Sequence, residues 1–321
     1  MIRRLARREL PATLGWGIGL AVVAAAISGV SIFLNGYAVR QLPDAAVYTT
    51  VKNGIATVIL VALAAATLRP AGVRAIPRRD WGWLALIGVV GGSVPFVLFF
   101  TGLAEASAPS AAFIQKTLFV WVAVLAVPLL GERLGWLQVA GLGVLIAGQA
   151  LILQPAGIVW GTGETLIAAA TLLWAVETIV IARVLRRVPG QVVASARLGI
   201  GLVVLVGYLI ATGRLSIVAG LGVEQWRWAL ITGVLLAGYV ATWFGALRRA
   251  PASAVTAILV LGAPVTAALA AVQAGGVAMS PSLGGQTLVL AAGAGLAALA
   301  LRGGAPGREP TAEPATASTR L

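Results

Sequence analysis

Apolar residues in this chain are gathered into long runs. Ten runs stand out, over residues 14–38, 45–67, 81–101, 107–129, 136–154, 160–182, 191–212, 226–246, 251–274 and 283–301. A helix needs roughly 20 mostly apolar residues to cross a bilayer, and the runs are of that order. The breaks between them are short and carry turn and charge signals, such as Gln41-Leu42-Pro43-Asp44 and Pro77-Arg78-Arg79-Asp80. The pattern predicts an all-α polytopic membrane protein of about ten transmembrane helices. The Arg-rich start followed by an apolar run has the look of a signal peptide. That run is longer than a signal h-region, however, and many more follow, so it is read as a retained first helix after a cytoplasmic segment, 1–13. After Arg302 the chain loses any apolar face, and 302–321 is expected to be a disordered cytoplasmic tail.

The runs also repeat. With a shift of 143 residues, Gly102 meets Gly245, Ser110 meets Ser253 and Ala111 meets Ala254. With a shift of 145, Lys52, early in the second run, meets Arg197, early in the seventh. The expected units are 14–154 and 155–301. Five helices per unit is an odd number, so the second copy starts from the opposite side and the repeats are inverted. That architecture suits a transporter whose site lies at the midplane and faces each side in turn.

Composition sharpens this picture. Hydrophobic residues make up 60% of the chain and charged residues 10%, against about 25% charged in a soluble domain. A chain of this size has no core large enough to hide that much apolar surface. The net charge of +13 invites a nucleic-acid reading, but the charges sit in the breaks and not on one face, so no nucleic-acid partner is expected. If the N-terminus is cytoplasmic, seventeen Lys and Arg residues fall on the cytoplasmic side, three (Arg40, Arg214 and Arg227) on the other, and three inside the membrane. The positive-inside bias therefore predicts a multi-pass cytoplasmic (inner) membrane protein with both termini cytoplasmic. The chain has no cysteine and no histidine. Disulfides, thiol nucleophiles, Cys/His zinc sites and a histidine proton relay are removed with them.

One stretch is familiar in detail. Residues 110–141 hold a small-residue helix, the exit Gly131-Glu132-Arg133-Leu134, and a following helix with Gln138 and Gly141 near its start. This resembles the EamA-type signature of the drug/metabolite transporter superfamily, and the likeness extends over about 14–301. The second copy shows Ala263-Pro264-Val265 where that signature has its proline, and Ala274-Gly275 in place of the Gly-Glu exit; the first copy has Trp121 at the proline position. The resemblance implies a ten-helix carrier with a central cavity, moving amino acids, related metabolites or phosphorylated compounds.

The informative side chains are charges inside the hydrocarbon. Each costs roughly 2.5–3.5 kcal/mol to insert and so faces protein or water. Lys52 and Lys116 lie about 10 and 13 Å below the outer surface, and Arg197 and Glu177 about 9 and 8 Å from the cytoplasmic side. Depth thus favours a Glu177–Arg197 pair between the sixth and seventh helices, acting in coupling or gating or as a structural lock. Two ammoniums without a carboxylate, Glu164 being the nearest, favour an anionic or zwitterionic guest; the alternative is that both snorkel to the interface. Gln115 flanks Lys116, Tyr48 stands four residues before Lys52, and Asn35 shares a face of the first helix with Ser28 and Ser31. Lys52, Lys116, Asn35, Tyr48 and Gln115 are therefore the expected substrate-binding residues. Gly15-x-x-x-Gly19 and Gly88-x-x-x-Gly92 read as close helix packing, and Pro95 and Pro264 as kinks in the third and ninth helices. Glu132 reads as a cap or an interfacial salt bridge, with a gate as the lesser alternative.

No nucleotide-binding loop is present, and no polar re-entrant filter or charged ring of a channel. A Ser–Lys dyad is formally available, but no serine sits opposite either lysine. The expected activity is a secondary transporter or facilitator that moves an amino acid or other zwitterion or organic anion by alternating access. Export of lipophilic cations is the alternative, and an integral-membrane enzyme or channel a remoter one. No cofactor is implied. The expected partners are a small-molecule substrate and membrane lipid, with the chain a monomer or homodimer.

Overall fold

The computed structural model describes residues 12–68, 76–106, 113–153 and 160–273, with isolated positions at 73, 288–289, 292–293 and 295. These residues form helices α1 (Ala12–Gln41), α2 (Ala45–Thr67), α3 (Arg78–Gly92), α4 (Val94–Glu105), α5 (Leu118–Leu130), α6 (Trp136–Leu153), α7 (Thr162–Val184), α8 (Gly190–Ala211), the short α9 (Leu215–Ala219), α10 (Val223–Leu247), α11 (Ala252–Leu259) and α12 (Gly262–Gln273). No strand occurs among them. Seven stretches are long and apolar enough to cross a membrane, and 136–150 and 252–266 are shorter apolar helices. Most of the expected tenth span, the tail 302–321 and all but the end of the segment 1–13 lie outside the described residues.

Local chemistry fixes several helix ends. Asp44 caps α2, its Oδ1 accepting the N–H groups of Ala46 at 2.8 Å and Val47 at 3.0 Å. Glu164 reaches back to the Gly161 N–H at 3.1 Å and closes the start of α7. Gly131 ends α5 at φ 69°, the left-handed region that glycine enters without a Cβ clash. The expected span 45–67 coincides with α2. The third and ninth spans are each two helices, broken at Ser93 and at Val260–Leu261. Both breaks lie before the proline, because proline lacks the N–H that would bond the carbonyl four residues upstream.

Among the described residues the packing is that of two inverted repeats. α1 lies on α10, and its counterpart α7 lies on α4; α2 lies on α10, and its counterpart α8 on α3. α1 also meets α11 and α12, as α7 meets α5, while α2 against α8 and α5 against α11 are the self-matched pairs. The registers agree residue by residue. A Cβ on Gly88 would come within 2.5 Å of the Ile200 Cβ, and one on Gly233 within 2.9 Å of the Ile55 Cβ. Both Gly88 to Gly233 and Ile55 to Ile200 are shifts of 145. Gly17 touches Arg249 and Ala250, as Gly163 touches Glu105 and Ala106, which sets the shift between α1 and α7 at 146.

Gly88 and Gly92 thus make the close packing expected of them, against Ile200 and against the Arg197 backbone and Gly201. Gly15 and Gly19 do not: no described residue lies within 4 Å of a Cβ built on either. On α1 the close approaches belong to Gly17 and Gly29, because x-x-x spacing alone does not say which face meets a neighbour. The expected result is that Gly88→Ala, which must push α3 off α8, destabilises the protein by about 1–3 kcal/mol, read as a lower unfolding midpoint in detergent. Gly15→Ala serves as the control and leaves the midpoint unchanged.

Candidate functional site

α2 carries Tyr48 and Lys52 on one face, four residues apart, and both are buried. The Lys52 ammonium donates to Asn35 Oδ1 at 3.3 Å, and the Tyr48 hydroxyl donates to the same oxygen. Asn35 turns its amide nitrogen to Ser31, reaching the carbonyl at 2.6 Å and Oγ at 3.0 Å. Lys52 Nζ also lies 5.0 Å from the Tyr48 ring centroid and 6.0 Å from that of Phe96, within cation–π range. Among the described residues no carboxylate stands within ion-pair distance of it. The ammonium is solvated by dipoles and rings and not neutralised.

Its counterpart in the second repeat, Arg197, is neutralised. Nε donates to Glu177 Oε1 at 2.5 Å and Nη2 to Oε2 at 3.0 Å, a bidentate pair between α8 and α7 with both side chains buried. Nη2 also reaches the Gly91 carbonyl at 3.1 Å, and Trp174 Nε1 reaches the same carbonyl at 3.3 Å. Sequence explains why that carbonyl is open. Pro95 stands four residues on and has no N–H to give it, and in hydrocarbon such a freed group must be satisfied by a neighbour. Gly91 is also where Glu177 sits: a Cβ there would fall 1.7 Å from its carboxyl carbon. Trp243 covers the guanidinium from the other side, 5.6 Å from ring centroid to Cζ.

The two centres are therefore equivalent in place and different in charge. Position 52 maps to 197, and with the α1–α7 shift Glu177 maps to Ser31. One repeat holds a closed ion pair. The other holds a cation, an amide and two hydroxyls.

Lys116 and Gln115 are half-buried beside the start of α5, and no hydrogen bond or ion pair joins either to another described residue. They are not brought into the Lys52 cluster. Glu164, the nearest carboxylate by depth, is used as the α7 cap. Glu132 acts across the repeats: Ala252 and Ser253 donate their N–H groups to its two oxygens at 2.7 and 3.2 Å, and the Ser253 hydroxyl donates as well. It caps α11 and so ties the end of the fourth span to the start of the ninth. Sequence reasoning missed Gly91, and it gave no role to Asn53, a fully buried amide beside Lys52 with neither polar atom partnered. The one signal for Gly91 was its place four residues before Pro95. Among the described residues no group of three acidic side chains could hold a metal ion.

The family described as EamA-like transporters matches residues 15–154 and again residues 161–299. The chain belongs to the EamA-like transporter family. A protein of Streptantibioticus cattleyicolor, named a probable terminal-alkyne amino-acid exporter, is 31% identical over 287 residues, covering 86% of this chain and 90% of its own. An uncharacterized transporter of Synechocystis is 26% identical over 209 residues, 59% of each chain. A solved crystal structure superposes with a TM-score of 0.69 at 22% identity, over 88% of this chain and 97% of the other, which shows the shared fold. This EamA-family chain is a multi-pass membrane transporter.

The paired centre generates a stability expectation. Arg197→Met strands Glu177 in a buried site and is expected to cost about 3–5 kcal/mol, seen in thermal or denaturant unfolding in detergent. Removing both charges, as Glu177→Met with Arg197→Met, recovers most of that loss. A single variant no worse than the double would contradict the pair's role as a lock.

Proposed function

We propose that this EamA-family transporter is a secondary transporter or facilitator that moves a small zwitterion or organic anion, of the amino-acid kind, by alternating access. The observation that carries the reading is the contrast between the two equivalent cations. Glu177 neutralises Arg197, while Lys52 has amide, phenol and rings around it and no carboxylate among the described residues. In a poorly screened interior a unit positive charge attracts an anionic group strongly. Lys116, also without a described partner, is the second ammonium available to a guest. The relative named a probable amino-acid exporter supports the same substrate class.

Contacts at the two ends support the alternating cycle. The Tyr37 hydroxyl donates to Gln273 Oε1, joining α1 to α12. The Arg183 guanidinium donates to the Leu129 carbonyl, joining α7 to α5. Position 37 maps to 183 and 129 to 273 within a residue of the common shift, so each face is pinned at the same place in the pseudo-symmetric frame. Access from one side needs one contact to open while the other holds. The arginine-rich face is assigned to the cytoplasm and the face of Gln41, Asp44 and Arg214 to the outside, on the distribution of Lys and Arg.

A ligand that binds only the folded state raises its melting temperature by mass action. The test is thermal unfolding of the purified protein with amino acids, organic anions, sugar phosphates and lipophilic cations. An amino acid or anion is expected to raise the midpoint, with the shift lost in Lys52→Met. A shift confined to lipophilic cations and unchanged in Lys52→Met would overturn the reading.

A further inference from the structure

A cavity of about 190 Å³ lies on the arginine-poor face between α2, α4 and α8, lined among others by Asp44, Thr49, Phe96, Tyr208 and Arg214. A second, of about 260 Å³, lies on the arginine-rich face and is lined by Leu60, Leu63, Ala194, Phe244, Arg248 and Arg249 among others. The two are counterparts. On the shift of 145 that relates α2 to α8, Thr49 maps to Ala194, Tyr208 to Leu63 and Leu205 to Leu60, and these residues line the respective cavities. Asp44 maps to Pro189. The fold at these places is satisfied by alanine, leucine and proline. The hydroxyl and the phenol of the first cavity are therefore not what builds it.

Their arrangement is selective. Arg214 Nη1 pairs with Asp44 Oδ2 at 3.1 Å at the partly exposed rim, leaving the rest of the guanidinium fork with no hydrogen bond to a described residue. Asp44 is held in place by its N-cap bonds through Oδ1. Thr49 is 1% exposed, and its hydroxyl has no hydrogen-bond partner. An unmade hydrogen bond on a buried hydroxyl is unfavourable, and here the group lines an open space. The apolar wall is Leu205 with the rings of Phe96 and Tyr208. The volume is below the roughly 300–1,000 Å³ of drug-sized pockets, so it suits a guest the size of one amino acid.

The geometry points to a zwitterion subsite in this cavity, in which Arg214 takes the carboxylate of an α-amino acid, Asp44 its ammonium, and the aromatic wall an apolar side chain, with Thr49 as the inner polar contact. It deepens the transport reading above and rests on it, by naming the substrate class and a place where the substrate waits outside the Lys52 centre. Phe96 links the two, because it lines the cavity and also faces the Lys52 ammonium at 6.0 Å. The counterpart cavity carries Arg248 and Arg249 with no lining carboxylate, so the zwitterion selectivity belongs to one face only.

The test is binding of radiolabelled L-leucine to the purified full chain, with leucinamide, which lacks the carboxylate, and 4-methylpentanoate, which lacks the ammonium, as competitors. The wild type is expected to bind L-leucine and to be displaced weakly by either analogue. Thr49→Ala, the residue the second repeat already uses, and Arg214→Gln are expected to weaken binding by about tenfold or more. Asp44→Asn keeps an equally good N-cap and removes the charge, so it should shift preference from L-leucine toward 4-methylpentanoate, which a purely structural role for Asp44 would not do. L-leucine binding that is lost in Lys52→Met but unchanged in Arg214→Gln, Thr49→Ala and Asp44→Asn overturns the subsite and leaves the transport reading standing. Binding of neither L-leucine nor 4-methylpentanoate by the wild type overturns both.

Discussion

A charge held in hydrocarbon has to be compensated from inside the protein, and the arrangement of this transporter follows from how its two membrane-embedded repeats meet that demand. Arg197 is answered by Glu177, by the Gly91 carbonyl that Pro95 leaves open, and by the Trp243 ring. Each of these sits on a different span, so one guanidinium draws α3, α7 and α10 onto α8. The small residues around it are a consequence. Gly91 and Gly92 have no side chain because Glu177 and the Arg197 backbone occupy that space. The kink in the third span and the ion pair are parts of one device, since the proline that breaks the helix supplies the acceptor that orients the arginine.

The first repeat uses the same position differently. Lys52 lies where Arg197 lies, and α1 offers Ser31 where α7 offers Glu177. Asn35 and Tyr48 then hold the ammonium without cancelling it. The two repeats thus hold a closed ion pair in one half and an uncancelled cation at the same place in the other. The same contrast recurs at the two cavities, where alanine, leucine and proline on one face stand against threonine, tyrosine and aspartate on the other. Symmetry makes such differences informative, because each position carries its own control in the other half.

Much of the fold was legible because a spanning helix needs a long apolar run, and loops of a few residues leave little freedom in where it ends. The span 45–67 was read to the residue. Depth arithmetic placed Glu177 beside Arg197, since adjacent helices of known direction bring equal depths together. Other features were not legible. The motif at Gly15 and Gly19 has the spacing of a packing face but looks outward, and only the rotation of α1 against α10 decides that. The prolines at 95 and 264 marked kinked spans but not the break points, which fall upstream where the lost hydrogen bond is. Glu132 was read within its own loop, yet its partners are more than a hundred residues away at the start of α11. Lys116 lies in the same outer half as Lys52 but neither it nor Gln115 joins the Lys52 hydrogen-bond network, and depth alone does not report the side of a helix.

On the proposed function, a guest supplies the negative charge that Lys52 lacks among the described residues. Asn35→Asp tests this: it keeps the oxygen 3.3 Å from the ammonium, replaces the Nδ2 that donates to Ser31 by a second oxygen, and gives Lys52 a carboxylate of its own. The measurement is uptake, into proteoliposomes, of the amino acid or organic anion that stabilises the wild type most. Asn35→Asp is expected to remain folded, the loss of the Nδ2 bond to the Ser31 carbonyl being set against the new ion pair, while uptake falls by about tenfold or more. Uptake at the wild-type rate in a folded Asn35→Asp protein would contradict it.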